Sequence, residues 1–237
     1  MAGELRARIR GLYVLTEVTL TPRTHEEIAA AALAGGAQVL QLRDKTRSDA
    51  ELLPVARILQ ARCRAAGVVF IVNDRVELAR AVDADGVHLG EEDWSVEEAR
   101  AVLGPEKLIG RTVRSLAQAR QAYHQGADYL GLGPIFATET KAGLPLPLGV
   151  EVITEVKARV PLPVVAIGGI TRDNIALVAA AGADAAAVVS AVVRAEDMPA
   201  AVAELAQRFA AARRGRRNLP ASGEFLDQKP CFWIPIA

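Results

Sequence analysis

The sequence predicts a single (β/α)8 barrel of the TIM type with an irregular C-terminal tail, and three observations predict it. The chain has 237 residues, close to the roughly 250 that one such barrel occupies as a single domain. Hydrophobic residues make up 51% of it but aromatics only 4%, so the core must be built from Ala, Val, Leu and Ile between many short elements. That suits helices packed on a parallel sheet. Finally, short β-branched or leucine-rich runs alternate eight times with longer alanine-rich segments of helical period, whereas an open doubly wound sheet usually has five or six strands.

The strands read as GLYVLTE from Gly11, VLQLRD from Val39, VVFIVND from Val68, GVHLG from Gly86, KLIGRTV from Lys107, YLGLGP from Tyr129, PVVAIGGI from Pro163 and AAAVVSAVV from Ala185. Helices are expected to begin near Thr24, Ser48, Arg75, Ser95, Ser115, Gly149, Asp173 and Asp197. Several of these positions carry Ser, Thr or Asp, whose side chains cap the free N–H groups of a helix start. Gly36-Ala37-Gln38, Gly126-Ala127-Asp128 and Gly182-Ala183-Asp184 recur before strands as a helix C-cap and a tight loop, a mark of fold and not of function. Residues 1–212 form the expected barrel domain. Residues 213–237 lose periodicity and read as a flexible tail, or as one whose Phe232, Trp233 and Ile234 dock on a neighbouring subunit in a homo-oligomer. The arginines at 213, 214, 216 and 217 read as solvated.

Composition also excludes functions. Lys plus Arg equals Asp plus Glu at 28 each, so no strong basic field is available for nucleic acid or a membrane surface, and any anionic ligand must be bound locally. Cys63 and Cys231 lack the spacing of a zinc or redox site. Arg6, Arg8 and Arg10 interrupt any signal-like stretch, so a cytoplasmic protein with small-molecule ligands is expected.

In this architecture the C-terminal strand ends and the loops after them form the active site. Side chains alternate along strand two, placing Val39, Gln41, Arg43 and Lys45 on one face, with Leu40 and Leu42 on the other. Gln41 and Arg43 then point up the barrel interior, with Lys45 at the rim: an amide to read a heterocycle and two cations to hold a diphosphate. Asn73-Asp74 ends strand three, and Gly90-Glu91-Glu92-Asp93 follows strand four. Each alone reads as a turn or helix start, but together such carboxylates can share one Mg2+ completed by substrate phosphate oxygens. The long loop 131–143 is either a solvated segment or a lid. Gly168-Gly169 and Val189-Ser190 end strands seven and eight, whose loops commonly bind phosphate through bare backbone N–H groups.

These segments, QLRDK from Gln41, Asn73-Asp74, HLGEED from His88, GLGP from Gly131 with TETK from Thr138, IGGI from Ile167 and Val189-Ser190, resemble the thiamine-phosphate synthase family over residues 11 to 205. The resemblance implies a pyrimidine diphosphate held by Gln41, Arg43, Lys45, Asn73, Thr112 and Lys141, and a thiazole phosphate held by Thr138, Glu139, Thr140, Gly169, Val189 and Ser190. It implies Mg2+ on Asp74 and Asp93, with Arg43, Lys45 and Lys141 as the catalytic cations. The implied reaction is a dissociative substitution that needs no protein nucleophile. Thr112 stands where serine is usual, Glu91 where glutamine is frequent, and Arg114 where histidine is common.

Two other readings share the scaffold. A thiazole tautomerase of the sister family moves a proton with a histidine at the position of Arg114, and arginine cannot act as a base near neutral pH. A non-catalytic phosphate-binding regulator needs no carboxylates and cations on several separate strands. On the synthase reading, the coupling chemistry is expected to survive loss of the Arg114 side chain.

Overall fold

The computed structural model describes residues 2–138 and 146–217. Eight parallel strands close into a barrel in sequence order: β1 Gly11–Thr16, β2 Val39–Leu42, β3 Val69–Asn73, β4 Gly86–Leu89, β5 Leu108–Val113, β6 Tyr129–Leu132, β7 Val164–Ile167 and β8 Ala185–Val188. Around them lie α1 Ala2–Ala7, α2 His25–Ala34, α3 Asp49–Ala66, α4 Val76–Ala81, α5 Val96–Leu103, α6 Leu116–His124, α7 Glu151–Lys157, α8 Ile175–Ala181, α9 Ser190–Val193 and α10 Met198–Arg217. The barrel closes where β8 pairs with β1, Gly11 opposite Ala185 and Val14 opposite Val188. No described helix is long and apolar enough to cross a membrane.

The expected helix starts are met by side-chain caps. Thr24, Ser48 and Ser95 each accept a hydrogen bond from the backbone N–H three residues on, and Glu27, Glu51 and Glu98 reach back to complete capping boxes. Ser115 caps α6 through the Gln118 N–H. Each box satisfies donors that a helix start would otherwise leave unmade.

Strand alternation sorts the apolar residues into two cores. Leu40 and Leu42 face the surrounding helices, in a cluster that also holds Leu12, Val14 and Phe70. Tyr13, Leu15, Val39, Val69, Ile71, Tyr129, Val165, Ala185 and Ala187 fill the barrel itself. Large and small side chains interleave there: a Cβ on Gly110 would lie 2.1 Å from Tyr129 Cζ, and one on Gly131 2.6 Å from His88 Cε1. Glycine on two strands is therefore what admits a tyrosine and a histidine to the barrel interior.

The structure departs from the sequence reading at three places. The run from Ala185 is strand only to Val188, and Ser190–Val193 turn into α9. The register with β1 runs out at Val188, and a valine run without a pairing partner does not stay extended. Helix α1 was not foreseen; Leu5 from it, with Ile9 just after, packs on the interior cluster, and six residues are too few to show a helical period. Helix α10 continues to Arg217 past the expected boundary at Ala212. Arg213 is not a solvated charge there, since its guanidinium donates to the carbonyl and the carboxylate of Asp184. Cys63 is buried in α3. Cys231 and the aromatic end of the chain lie outside the described residues.

Candidate active site

The C-terminal strand ends surround a cavity of about 500 Å³, within the usual range for a site that encloses small molecules. Gln41, Arg43, Lys45, Asn73, Asp74, Asp93, Thr112, Thr138, Gly169, Val189 and Ser190 all line it. The sequence-predicted residues within the described segments are thus brought together by eight-stranded closure. Glu139, Thr140 and Lys141 lie outside the described residues.

On one side the cavity is cationic. Arg43 forms an ion pair with Glu17 at the end of β1, and Glu17 Oε1 also accepts from the Thr19 N–H at 3.1 Å and the Thr19 hydroxyl at 2.7 Å. Lys45 pairs with Asp74. Between these two cations Asp44 turns away from the cavity and is buried. Its Oδ1 accepts from Thr46 and Arg47 N–H groups at 2.7 and 3.0 Å, and its Oδ2 from Arg47 Nε at 2.8 Å. Burial pushes the Asp44 carboxyl up, but the bonds from Thr46, Arg47 and His25 outweigh it and hold it far below the ordinary carboxylate range.

The neighbouring strand ends carry two acids. Asp74 sits in the left-handed region at φ 62°, a conformation that Asp tolerates better than most residues. Its N–H donates to His88 O at 2.8 Å, stitching the end of β3 to β4. Asp93 folds back so that its Oδ2 accepts from Gly90 N–H at 2.6 Å. A Cβ on Gly90 would stand 2.9 Å from that oxygen. Burial, then the neighbouring Asp93 carboxyl, raises Asp74 to about 6. Asp93 is also pushed up by burial, but its bonds to Asp74 and Gly90 hold it below its usual value. Two acids brought this close mark a point where one cation is wanted.

A hydrogen-bonded chain crosses the barrel beneath these groups. Gln41 Nε2 donates to Tyr13 Oη at 2.7 Å, and Tyr13 Oη lies 3.3 Å from Tyr129 Oη. His88 bridges onward, with Nδ1 3.2 Å from Tyr129 Oη and Nε2 3.0 Å from Thr112 Oγ1. Gln41 on β2 and Thr112 on β5 are therefore linked through three buried or half-buried rings. Burial lowers His88 to about 4, so the ring is neutral and both nitrogens are occupied. Glu17, Tyr13, His88 and Tyr129 carried no role in the sequence reading. Alternation along β1 and β6 was the available signal, since it aims both tyrosines inward.

Gly168 and Gly169 have φ 98° and 64°. A Cβ on Gly169 would lie 2.3 Å from Ala137 O, and one on Gly168 2.6 Å from Pro134 Cα. Here the loop after β6 runs against the end of β7, with Phe136 N–H donating to Gly168 O at 3.0 Å. Asn174 Nδ2 fixes Gly169 O at 2.8 Å. The bare backbone faces the cavity beside Val189 and Ser190, as close approach to an anion requires.

Known proteins carry the same design. The model of the family described as thiamine monophosphate synthase matches residues 12–192. A thiamine-phosphate synthase of Chloroflexus aurantiacus is 48% identical over 195 residues, covering 82% of this chain and 90% of the relative. One from Methanoculleus marisnigri is 49% identical over 203 residues, covering 85% and 96%. Among solved structures, a thiamine phosphate pyrophosphorylase from Pyrococcus furiosus superposes with a TM-score of 0.80 at 39% identity, over 88% of this chain and 98% of the other. A 3-hexulose-6-phosphate synthase shares the fold alone, with a TM-score of 0.61 at 18% identity. Since the matched span runs from β1 through β8 and so includes the strand ends around the cavity, the chain belongs to the thiamine-phosphate synthase family.

Proposed function

We propose that this cavity joins 4-amino-2-methyl-5-hydroxymethylpyrimidine diphosphate to 4-methyl-5-(2-phosphoethyl)thiazole, or its carboxylated form, giving thiamine phosphate and pyrophosphate. The observation that carries this reading is the division of the cavity: two cations and two acids over β2 to β4, bare glycine backbone and Ser190 over β7 and β8. The first half suits a diphosphate and the second a single phosphate. Gln41, Arg43, Lys45, Asn73, Thr112 and Lys141 take the pyrimidine diphosphate. Thr138, Glu139, Thr140, Gly169, Val189 and Ser190 take the thiazole phosphate.

Asp74 and Asp93 fit a magnesium ion. They offer hard oxygens, they line the same cavity and perturb each other's ionisation, and no third acid, histidine or cysteine joins them in a metal-binding group among the described residues. Such a sparse set suits an ion that keeps water and substrate oxygens as its remaining ligands. When bound, the ion supplies positive charge to the leaving pyrophosphate. The bond that breaks joins the pyrimidine's methylene carbon to the diphosphate oxygen, and the bond that forms joins that carbon to the thiazole nitrogen. Arg43, Lys45 and Lys141 stabilise negative charge as it grows on the leaving group, while the Gln41 to Thr112 chain orients the pyrimidine.

The tautomerase alternative requires a base. Of the three histidines in the sequence, His88 alone lines the cavity, and both its nitrogens are engaged. Incubating the full chain with both substrates and magnesium and following thiamine phosphate tests the reading. Product and pyrophosphate in equal amounts are expected. Isomerised thiazole without coupling would transfer the assignment to the tautomerase, and phosphate binding without turnover to a regulator.

A further inference from the structure

Arg114 follows directly on β5 and lines the cavity. Its backbone N–H donates to Gln118 Oε1 at 2.7 Å, which anchors the main chain. Gln118 Nε2 donates in turn to Glu91 Oε1 at 2.8 Å, so that acid is already engaged. The guanidinium is different: Nη2 is enclosed from solvent and has no hydrogen-bond partner among the described residues. Among the described residues, the neighbouring cations are occupied. Arg43 pairs with Glu17 and Lys45 with Asp74, while Arg111 donates to the carbonyls of Trp94 and Glu91. An enclosed charged N–H without an acceptor gives up the bond that water would offer it, so a buried group left this way calls for an explanation. Because this one lines the substrate cavity, the acceptor it lacks can arrive with the substrate.

We propose that Arg114 is the receptor for a substrate oxyanion, a binding contact additional to the residues named above. The inference rests on the coupling reading of the cavity. A guanidinium presents two parallel N–H donors to a planar carboxylate or to phosphoryl oxygens. The phosphate and diphosphate already have receptors in the reading above. The carboxylate of the carboxylated thiazole phosphate is the anionic group they leave without a receptor. Arg114 thus acts in binding and takes no part in proton transfer.

The test uses the full chain and its Arg114→Gln and Arg114→Lys variants. KM and kcat are measured for the pyrimidine diphosphate and for the thiazole phosphate with and without its carboxylate. Direct calorimetric titration of each thiazole, which needs no turnover, accompanies them. Loss of a charge-assisted contact in Arg114→Gln should raise KM and Kd for the carboxylated thiazole about tenfold or more. The uncarboxylated substrate and kcat should stay within about twofold of wild type, as for an interaction made equally in ground and transition states. Arg114→Lys should recover part of the loss. A rise for the pyrimidine diphosphate, or an equal rise for both thiazoles, would keep the oxyanion receptor and assign it to a phosphoryl group. Unchanged constants for all three ligands in both variants would overturn the proposal. Wild-type chain that binds the thiazoles but forms no thiamine phosphate would refute the coupling reading instead.

Discussion

Asp74 and Asp93 reach one point from different strand ends, one by a left-handed backbone and the other by folding onto the Gly90 amide. If both serve one magnesium ion, their contribution grows as charge develops on the leaving pyrophosphate. Asp74→Asn and Asp93→Asn should each lower kcat by roughly a hundredfold, with little change in affinity for the thiazole phosphate. The double variant should lose far less than the product of the single losses, since the two act as a unit. Chelator should abolish turnover and added magnesium restore it; full activity in EDTA would remove the metal from the mechanism. A second residue-scale device lies behind Arg43. The Arg43 N–H donates to Thr16 Oγ1 at 3.4 Å, Thr16 Oγ1 lies 2.7 Å from His25 Nδ1, and His25 Nε2 lies 3.1 Å from Asp44 Oδ2. A neutral ring protonated on Nε2 satisfies these directions, accepting from the Thr16 hydroxyl and donating to Asp44. Burial lowers the His25 pKa, against the raising effect of Asp44. The unfolded chain therefore takes up this proton first as pH falls, so the stability linked to His25 is complete above its ordinary value of 6.5 and declines below it. Thermal melts between pH 8 and 5 should show a decline that flattens in His25→Gln; equal slopes in both proteins would contradict the assignment.

At the scale of elements, the residue before every second strand holds the start of the strand preceding it. Gln38 Oε1 accepts from Leu12 N–H at 2.7 Å, Asp85 Oδ2 from Phe70 N–H at 2.8 Å, Asp128 Oδ2 from Ile109 N–H at 2.9 Å, and Asp184 Oδ2 from Val164 N–H at 2.9 Å. The recurring glycine, alanine and polar triplet in the sequence is the trace of this belt. Each acceptor satisfies a strand-end donor and pins the register of a strand pair. The belt lies at the N-terminal end of the barrel, opposite the cavity, where conservation of structure and not of chemistry is at stake. Asp128→Ala removes the side-chain acceptor of the Ile109 N–H and the ion-pair partner of Arg100. It should cost about 1–3 kcal/mol in urea denaturation, the usual loss of bonds to a charged group. Its kcat should match wild type; a fall in kcat at unchanged stability would show that the belt transmits to the site. Legibility differed between elements for a physical reason. Helix caps are local, so Thr24, Ser48 and Ser95 could be read directly, whereas the end of β8 depends on where its pairing with β1 stops.

For the whole molecule, closure is what assembles the site, and the last described helix takes part in it. Arg213 in α10 bonds to Asp184, which also accepts from Val164 N–H and pairs with Lys157. Ending the chain after Arg217 should leave its melting temperature and activity unchanged. Ending it after Ala212 should still give an active barrel but lower stability by about 1 kcal/mol, the scale of one partly exposed charged contact. Calorimetry on both truncations decides, and equal melting temperatures would show that Arg213 contributes nothing. The sequence by itself determined the barrel, through eight alternations of period, and the identity of most cavity residues, because polar side chains at strand ends stand out against apolar runs. It could also place Gln41 and Arg43 inward, since alternation along a strand is a local rule. What only the tertiary structure decided is which of these groups meet. Glu17 against Arg43, Asp74 beside Asp93, and the chain from Gln41 through Tyr13, Tyr129 and His88 to Thr112 all join residues from different strands. Distances between strands are set by closure, register and packing, and no local pattern in a single chain encodes them.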